Sequence, residues 1–149
     1  MPVRDKLIFI ITIAFVIVVI PITAYGEMDR KLHNELSVTF FSLPDGESTL
    51  LQTDDGVNIM INTGAKKSQD ELLHQLEELN ISKIDKLILT NQTTDYCGNS
   101  KRLIERFQIK NTVYSGQLSD ACYQNVKNST LTNWSQKDQL EVNSLNIDV

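Results

Sequence analysis

The chain has few side chains that could bind a metal or act as a catalytic base. It contains two histidines and two cysteines, at His33, His74, Cys97 and Cys122. An all-cysteine zinc site is therefore excluded within one chain, and a mixed site would need all four residues, which lack the close-paired spacing of zinc ligands. We predict that both histidines are solvated, His33 in a linker and His74 on a helix. The composition thus disfavours a histidine-rich metalloenzyme.

Two further patterns could carry chemistry, but each is incomplete. Ser42 and Ser48 could be nucleophiles, yet neither histidine lies where it would act as their base. The segment Gly64–Ser68 (GAKKS) precedes a helix as a phosphate-binding loop does, but it lacks the spaced glycines of G-x-x-x-x-G-K-[ST]. We therefore expect Lys66 and Lys67 to be solvated loop charges.

The composition sets the size and class of the domain. The chain has 149 residues, enough for one domain, and its 41% hydrophobic and 22% charged residues are typical of a globular protein. Its formal net charge of -5 argues against nucleic acid held by a broad basic surface. The sequence therefore predicts a globular domain with no cofactor and no nucleic-acid partner.

The N-terminus has the pattern of an export signal. Arg4 and Lys6 precede an uncharged apolar run over Leu7–Ile22, and Ala24–Gly26 offers small residues for cleavage before Glu27. The run is also long enough for an uncleaved membrane anchor. Both alternatives place the rest of the chain outside the cytoplasm.

The chain therefore divides into three predicted regions. Residues 1–26 form a signal peptide or membrane anchor, residues 27–35 form a linker, and residues 36–149 form the exported domain. We expect either a single-pass protein of the cell membrane, with its domain outside and the helix as its membrane contact, or a secreted protein.

The two cysteines lie in this predicted exported domain, where disulfides persist. Cys97 and Cys122 both belong to segments that follow predicted strands, so they could meet at one edge of a sheet. A disulfide and a pair of buried free thiols are the two alternatives.

The elements that would position these residues follow from hydrophobic patterning and turn residues. The apolar patterns predict strands, and leucines at helical spacing behind a Ser68-x-x-Glu71 capping box predict a helix. Strands are expected at Leu36–Leu43, Ser48–Thr53, Val57–Asn62, Leu87–Thr90, Thr112–Tyr114 and within Gln139–Val149, and helices at Ser68–Asn80, Asn99–Phe107 and Ser119–Lys127. Three strands followed by alternating helices and strands predict an α/β domain with a mixed sheet.

Over Leu36–Gly116 the sequence resembles the first half of a metallo-β-lactamase-fold domain of the exported, ComEC-type branch. That branch has F-I-D-V-G-Q-G-D-S where this chain has Phe40–Ser48 (FFSLPDGES), and I-D-x-G where it has Ile61–Gly64 (INTG). Its I-D-x-L-x-L-T matches Ile84–Thr90 (IDKLILT). The resemblance implies a partial metallo-β-lactamase-like mixed sheet with flanking helices, preceded by one N-terminal transmembrane or signal helix.

The same resemblance implies that the metal ligands are lost. The family loop H-x-H-x-D-H-x-G-G falls on Asn91–Asn99, so its three histidines become Asn91, Thr93 and Tyr96, and Asp95 alone is kept. A strand-end aspartate becomes Asn62, and the aspartate before the glycine turn becomes Ser42. We expect no metal and no catalytic residue here, and we expect Asp95 to cap a helix or hold a turn.

The sequence therefore predicts a membrane-anchored or secreted, non-catalytic domain related to metallo-β-lactamase-fold hydrolases. The alternative is a ComEC-like metallo-hydrolase that acts on phosphodiesters or DNA through an unorthodox site. A third hypothesis is a structural membrane protein. A truncated half-fold would expose a sheet edge, so a protein partner or self-association at that edge is also expected.

Overall fold

The computed structural model describes residues 35–135, 139–142 and 145–148. Over these residues the chain forms strands and helices whose bounds follow. The strands are β1 (Leu36–Phe40), β2 (Thr49–Thr53), β3 (Asn58–Ile61), β4 (Lys86–Leu89), β5 (Asn111–Ser115), β6 (Thr130–Trp134), β7 (Gln139–Val142) and β8 (Leu145–Asp148). The helices are α1 (Gln69–Glu78), α2 (Thr94–Cys97), α3 (Ser100–Phe107) and α4 (Asp120–Val126), and a 3₁₀ turn at Lys66–Ser68 leads into α1.

The first six strands form one sheet in the order β1-β2-β3-β4-β5-β6. The first three are antiparallel, with Val38 opposite Leu51 and Leu51 opposite Ile59. Strands β3 to β6 are parallel, and each parallel pair is joined by a crossover that contains helix. The chain is therefore an α/β domain with a mixed sheet, which confirms the predicted class.

One face of this sheet packs against the helices. Leu50 and Leu87 from the strands belong to the same buried cluster as Leu72 and Leu76 from α1 and Phe107 from α3. Full burial of one such side chain contributes about 1.5–3 kcal/mol, so this cluster is the main source of stability. The leucine spacing that predicted α1 reflects this contact.

The other face carries a second apolar cluster made of strand residues. Its buried members are Leu51, Ile59, Ile88 and Val113, and no residue of the four helices belongs to it. On the edge strand β1, the same face presents Leu36, Val38 and Phe40, which are exposed. The face opposite the helices is therefore apolar from β1 to β5.

Strand β6 and helix α2 have no counterpart among the predicted elements. Strand β6 reads TLTNW, and its partial exposure at the edge of the sheet explains its lack of an apolar pattern. Its pairing with β5, which sets Thr132 opposite Val113, shows that neighbour contacts create this strand. Helix α2 occupies four residues of the predicted loop Asn91–Gly98.

The predicted capping box at the start of α1 is wrong. Ser68 occupies the cap position, but its side chain makes no cap hydrogen bond. Its hydroxyl instead donates to the backbone oxygen of Asp45 (2.7 Å) and accepts from the backbone N–H of Asp45 (3.1 Å). The Ser68 side chain therefore makes a tertiary contact with the β1–β2 turn and does not cap α1.

The C-terminal strands β7 and β8 pair in an antiparallel hairpin, where the alternating pattern predicts strands. The predicted signal or anchor and most of the linker, including His33, lie outside the described residues. Within the described part of the chain, no helix has the length and hydrophobicity needed to cross a membrane.

Candidate functional site

Three separate segments meet at the edge where β1, β3 and β4 end. They are the β1–β2 turn, the segment after β3 and the segment after β4. Backbone hydrogen bonds join Gly64 N–H to Glu47 O (2.9 Å), Thr63 N–H to Tyr96 O (2.7 Å) and Gly98 N–H to Gly64 O (3.0 Å). Carboxyl ends of parallel strands share one edge, and ligand sites of α/β sheets form there. This strand-end edge is the candidate site.

Asn62 lies at the centre of the strand-end edge. Only 2% of this residue is exposed, and its φ of +58° is a left-handed conformation that asparagine tolerates better than most residues. Its Nδ2 donates to Thr90 Oγ1 (2.7 Å) and Glu47 Oε1 (3.0 Å), and its Oδ1 accepts from the backbone N–H of Thr90 (2.9 Å). The amide therefore ties β3 to both neighbouring segments.

Glu47 and Thr90 therefore acquire roles that the sequence motifs did not indicate. Together with Ser48 and Asn62 they line a cleft of about 470 Å³ that also contacts the exposed ring of Phe40. The Ser48 hydroxyl donates to the backbone oxygen of Asn62 (3.0 Å), which commits this candidate nucleophile to a structural hydrogen bond. The cleft has apolar walls and one carboxylate held by an amide.

The loop after β4 uses its polar side chains for local structure. Asn91 Oδ1 accepts from the backbone N–H groups of Gln92 (2.7 Å) and Thr93 (3.0 Å), which is a turn held by an asparagine side chain. Thr93 takes the cap position of α2 without a side-chain cap, and Asp95 lies exposed in the first turn. The turn-holding role expected for Asp95 is thus performed by Asn91.

Close backbone contacts at this edge require glycine at two places. A side chain on Gly46, whose φ is +73°, would collide with the backbone of Asp95 and Ala65. One on Gly98 would collide with the backbone of Lys66 and Thr94. Glycine is needed because the three segments are packed backbone against backbone.

A buried polar network fixes the start of α3 beneath the strand-end edge. Thr63 Oγ1 donates to Tyr96 O (3.1 Å), accepts from the N–H of Asn99 (3.2 Å) and lies 3.1 Å from Ser100 Oγ. Asn99 Nδ2 donates to Thr63 O and Ala65 O, both at 2.8 Å. Asn99 Oδ1 is buried and has no hydrogen-bond partner within the described part of the chain.

An ion pair lies beside the glycine turn. Lys67 Nζ is 2.8 Å from Asp45 Oδ2. The hydrogen bond from this ammonium lowers the pKa of Asp45, and the same hydrogen bond raises the pKa of Lys67. The charge of Asp95 adds a smaller contribution to the second effect. Lys67 is therefore an ion-pair partner, in addition to being solvated.

Cys97 and Cys122 form a disulfide with their Cα atoms 5.6 Å apart. The bond connects α2 to α4, and both cysteines are fully buried. The Ser119 hydroxyl, which caps α4 by accepting from Cys122 N–H (3.3 Å), also donates to the backbone oxygen of Gln92 (2.7 Å). Of the two alternatives for the cysteines, the structure has the disulfide.

Two candidate residues remain, Ser42 and His74. Within the described part of the chain, Ser42 makes hydrogen bonds only through its backbone, and His74 lies apart from the strand-end edge. Ser42 contacts α1 through its backbone, since Gln75 Nε2 donates to Ser42 O (3.0 Å). His74 lies exposed on α1 with its Nε2 3.5 Å from Glu78 Oε1. The structure therefore brings no histidine to the serines among the residues that it describes.

The residues at this edge do not fit the zinc site that the resemblance implies. Zinc requires imidazole, thiolate or carboxylate ligands, whereas the matched positions other than Asp95 offer neutral amides, hydroxyls and a phenol. The oxygens of Asn62 and Asn91 already accept backbone N–H bonds. Within the described residues, no three histidine, cysteine, aspartate or glutamate side chains lie close enough to share a metal ion.

Solved structures to which this chain is similar include metallo-β-lactamases. The Cronobacter sakazakii metallo-beta-lactamase with the HARLDQ motif aligns at a TM-score of 0.62 and 15% identity, over 73% of this chain and 49% of that chain. MEM-A1, a subclass B3 metallo-beta-lactamase from a soil metagenome library, aligns at a TM-score of 0.59 and 13% identity, over 75% of this chain and 48% of that chain. FEZ-1 from Legionella gormanii aligns at a TM-score of 0.56 and 16% identity, over 74% of this chain and 48% of that chain.

The chain therefore has the metallo-β-lactamase fold over its matched part. It spans about half the length of these solved structures. No protein-family model matches the sequence, and no curated protein matches it either. At these identities the similarity concerns the fold, and the function must be argued from the site.

Proposed function

We propose that this chain is a non-hydrolytic domain of an exported or membrane-anchored protein, built on the metallo-β-lactamase fold. The observation that carries the proposal is the hydrogen bonding of Asn62. An amide at the matched strand-end position donates to Glu47 and Thr90, so it supports the strand-end edge as a structural group. The motif order F-x-x-x-x-x-G-x-S, I-N-x-G and I-D-x-L-x-L-T favours the ComEC-type branch.

The charges at the strand-end edge support a structural role. A dication is held by imidazole, thiolate or carboxylate ligands, whereas the cation at this edge is the Lys67 ammonium, paired with Asp45 (2.8 Å). Asn62 is neutral and already engaged. Glu47 and Asp95 are the carboxylates at this edge, and within the described residues no three acidic, histidine or cysteine side chains lie close enough to share the metal ion that a metallo-hydrolase uses as a Lewis acid.

Export is supported by two independent features. The basic and apolar pattern of residues 4–24 is typical of a signal or anchor. The buried disulfide Cys97–Cys122 suits an oxidising compartment outside the cytoplasm. Fractionation of the expressing cells tests this part, since we expect the protein in the membrane or outside the cell. A soluble cytoplasmic pool would contradict export.

Zinc analysis tests the non-hydrolytic part. The full chain is incubated with excess zinc, dialysed and measured by elemental analysis, and we expect far less than one zinc per chain. The variants Asp95→Ala and Asp54→Ala, the second in the hairpin turn after β2, serve as a matched pair. Stoichiometric zinc that is lost in Asp95→Ala and kept in Asp54→Ala would overturn the proposal.

An activity assay completes the test. We expect no hydrolysis of a phosphodiester, of DNA or of a β-lactam by the full chain with zinc, manganese or magnesium present. Turnover that is lost in Asp95→Ala or Glu47→Ala would favour the hydrolase. Activity that survives both changes would point to contamination.

A further inference from the structure

A second cleft lies among the helices, separate from the strand-end edge. Its volume is about 200 Å³. It is bounded by the 3₁₀ turn, the start of α1, the first turns of α3 and the side of α4. The lining residues are Lys66, Gln69, Gly98, Lys101, Arg102, Glu105 and Asn125.

Three cations from two elements line this helix-side cleft. Lys66 comes from the 3₁₀ turn, and Lys101 and Arg102 come from the start of α3. Glu105 is the one acidic residue of the lining, which leaves an excess of two positive charges. This local charge contrasts with the formal charge of -5 of the whole chain.

These cations are not neutralised by ion pairs. Among the ion pairs of the described residues none includes Lys66, Lys101 or Arg102. The neighbouring Lys67 differs, because its ammonium lies 2.8 Å from Asp45. Like charges around one concave surface repel each other, and an anion placed among them would relieve that repulsion.

The location of two of the cations adds to this repulsion. Lys101 and Arg102 lie in the first turn of α3, where the helix dipole disfavours positive charge, and that turn holds no acidic residue. The amide of the cap residue Asn99 is used on Thr63 O and Ala65 O, so it does not cap the helix. All three cations are exposed and so are accessible to an anion from solution, and no acidic residue of the first turn of α3 competes with that anion.

We propose that the helix-side cleft binds a phosphate-class oxyanion. Lys66 and Lys101 supply ammonium groups and Arg102 supplies a guanidinium, which are the donors that phosphate groups take in proteins. A volume of about 200 Å³ equals several water molecules at about 30 Å³ each, which leaves room for one tetrahedral anion. The anion is either free phosphate or the phosphodiester of a larger ligand.

Calorimetric titration of the full chain tests this site with two probes, inorganic phosphate and dimethyl phosphate, at constant ionic strength of about 0.15 M. We expect saturable binding of inorganic phosphate at one site per chain. Equal binding of dimethyl phosphate identifies a phosphodiester as the ligand, and binding of inorganic phosphate alone identifies free phosphate. Absence of saturable binding of either probe would overturn the proposal.

Three variants separate the site from a general charge effect. Arg102→Gln removes a charge-assisted hydrogen bond, so phosphate affinity should fall by about tenfold or more. Lys67→Gln removes the same charge from the adjacent ion pair and should change the affinity by less than about twofold at this ionic strength. Equal losses of phosphate affinity in both variants would show that the binding is an unspecific charge effect and would overturn the proposal.

The third variant should gain affinity. Glu105→Gln removes the one negative charge of the lining, so phosphate should bind several-fold more tightly than to the unchanged chain. The exposed position of Glu105 makes a folding defect an unsuitable explanation for such a gain. An unchanged or weaker affinity in Glu105→Gln would show that the anion does not enter this cleft.

Discussion

Asn62 joins three segments of the chain through one neutral amide. It is buried, and it uses both Nδ2 hydrogens and its Oδ1 on Glu47 and Thr90. A carboxylate at this position would lose both donated bonds and place a buried negative charge beside the Glu47 carboxylate. The identity of this residue is therefore set by its partners.

The substitution Asn62→Asp should destabilise the protein by about 1–3 kcal/mol at neutral pH. The loss should shrink on acidification, because protonation of the buried aspartate removes the repulsion from Glu47. Asn80→Asp is the control, since Asn80 has the same left-handed backbone, with φ of +56°, but is exposed. Urea unfolding at pH 7 and pH 5 measures both, and equal losses in the two variants would contradict the role given to Asn62.

At the scale of elements, the disulfide holds the loop after β4 against α4. Cys97 and Cys122 are 25 residues apart, and a loop of that length implies about 3–4 kcal/mol of stabilisation in the chain-entropy description. Because α2 and α4 are short, with four and seven residues, each depends on such tertiary support.

Removal of the disulfide should lower the free energy of unfolding by about 2–4 kcal/mol. Guanidinium unfolding of the unchanged chain with and without dithiothreitol measures the effect. In the double variant with Cys97→Ala and Cys122→Ala, the reductant should have no effect, which separates the bond from other actions of dithiothreitol. Equal stability of the reduced and oxidised chain would show that the disulfide is not a support.

The elements that the sequence predicts correctly are those with an apolar pattern, whether alternating residues, a short apolar run or apolar residues at helical spacing. Strands β1 to β5 and helices α1, α3 and α4 have such a pattern. Strand β6 lacks it, because its Thr and Asn residues lie at the edge of the sheet and gain their structure from β5. Local pattern cannot show a strand that a neighbour imposes.

Contacts between distant segments could not be predicted from the sequence either. The motifs place Glu47, Asn62 and Thr90 in three segments, but nothing local indicates that one amide would join them. Ser68 shows the same limit, because its hydroxyl bonds the backbone of Asp45 and not the start of α1 as the local capping signal predicted. The candidate site could therefore be located from sequence, while its hydrogen bonding could not.

Two carboxylates with lowered pKa values, Asp45 and Asp85, affect how the stability of the whole domain changes in acid. Burial raises the pKa of Asp85, but the hydrogen bond from Asn58 N–H (3.0 Å) and the Lys83 ammonium outweigh it, so the pKa is lowered overall. The Lys67 hydrogen bond lowers the pKa of Asp45. A lowered carboxylate pKa means that the native state binds fewer protons than the unfolded chain.

The stabilisation from Asp45 and Asp85 is therefore present above the unfolded value of about 3.9 and is lost as the pH falls through the lower native values. We expect the free energy of unfolding to decrease below about pH 4. Asp85→Asn should flatten this decrease, and Asp54→Asn should leave it unchanged. Thermal melts from pH 2 to pH 7 measure the slopes, and the same slope in Asp85→Asn and the unchanged chain would contradict the assignment.

The exposed apolar residues of β1 bear on the association of whole molecules. Leu36, Val38 and Phe40 are 43%, 44% and 78% exposed on the sheet face against which none of the described helices packs. Strand β1 pairs with β2 alone in the described sheet, so its outer edge also offers unpaired backbone groups. An exposed edge next to an apolar patch is a site for a second copy of the chain.

We predict that the protein self-associates through this face of β1 and that Val38→Lys weakens the association, because a charge would have to be buried in the contact. Ser37→Lys is the matched control, since it adds the same charge to the adjacent residue, which points to the opposite face of the strand. Sedimentation velocity of both variants over a range of concentrations, in the same buffer, gives the comparison. A monomer in Val38→Lys beside an associated Ser37→Lys is the expected result, whereas equal association of the two variants would show that this face is not the contact.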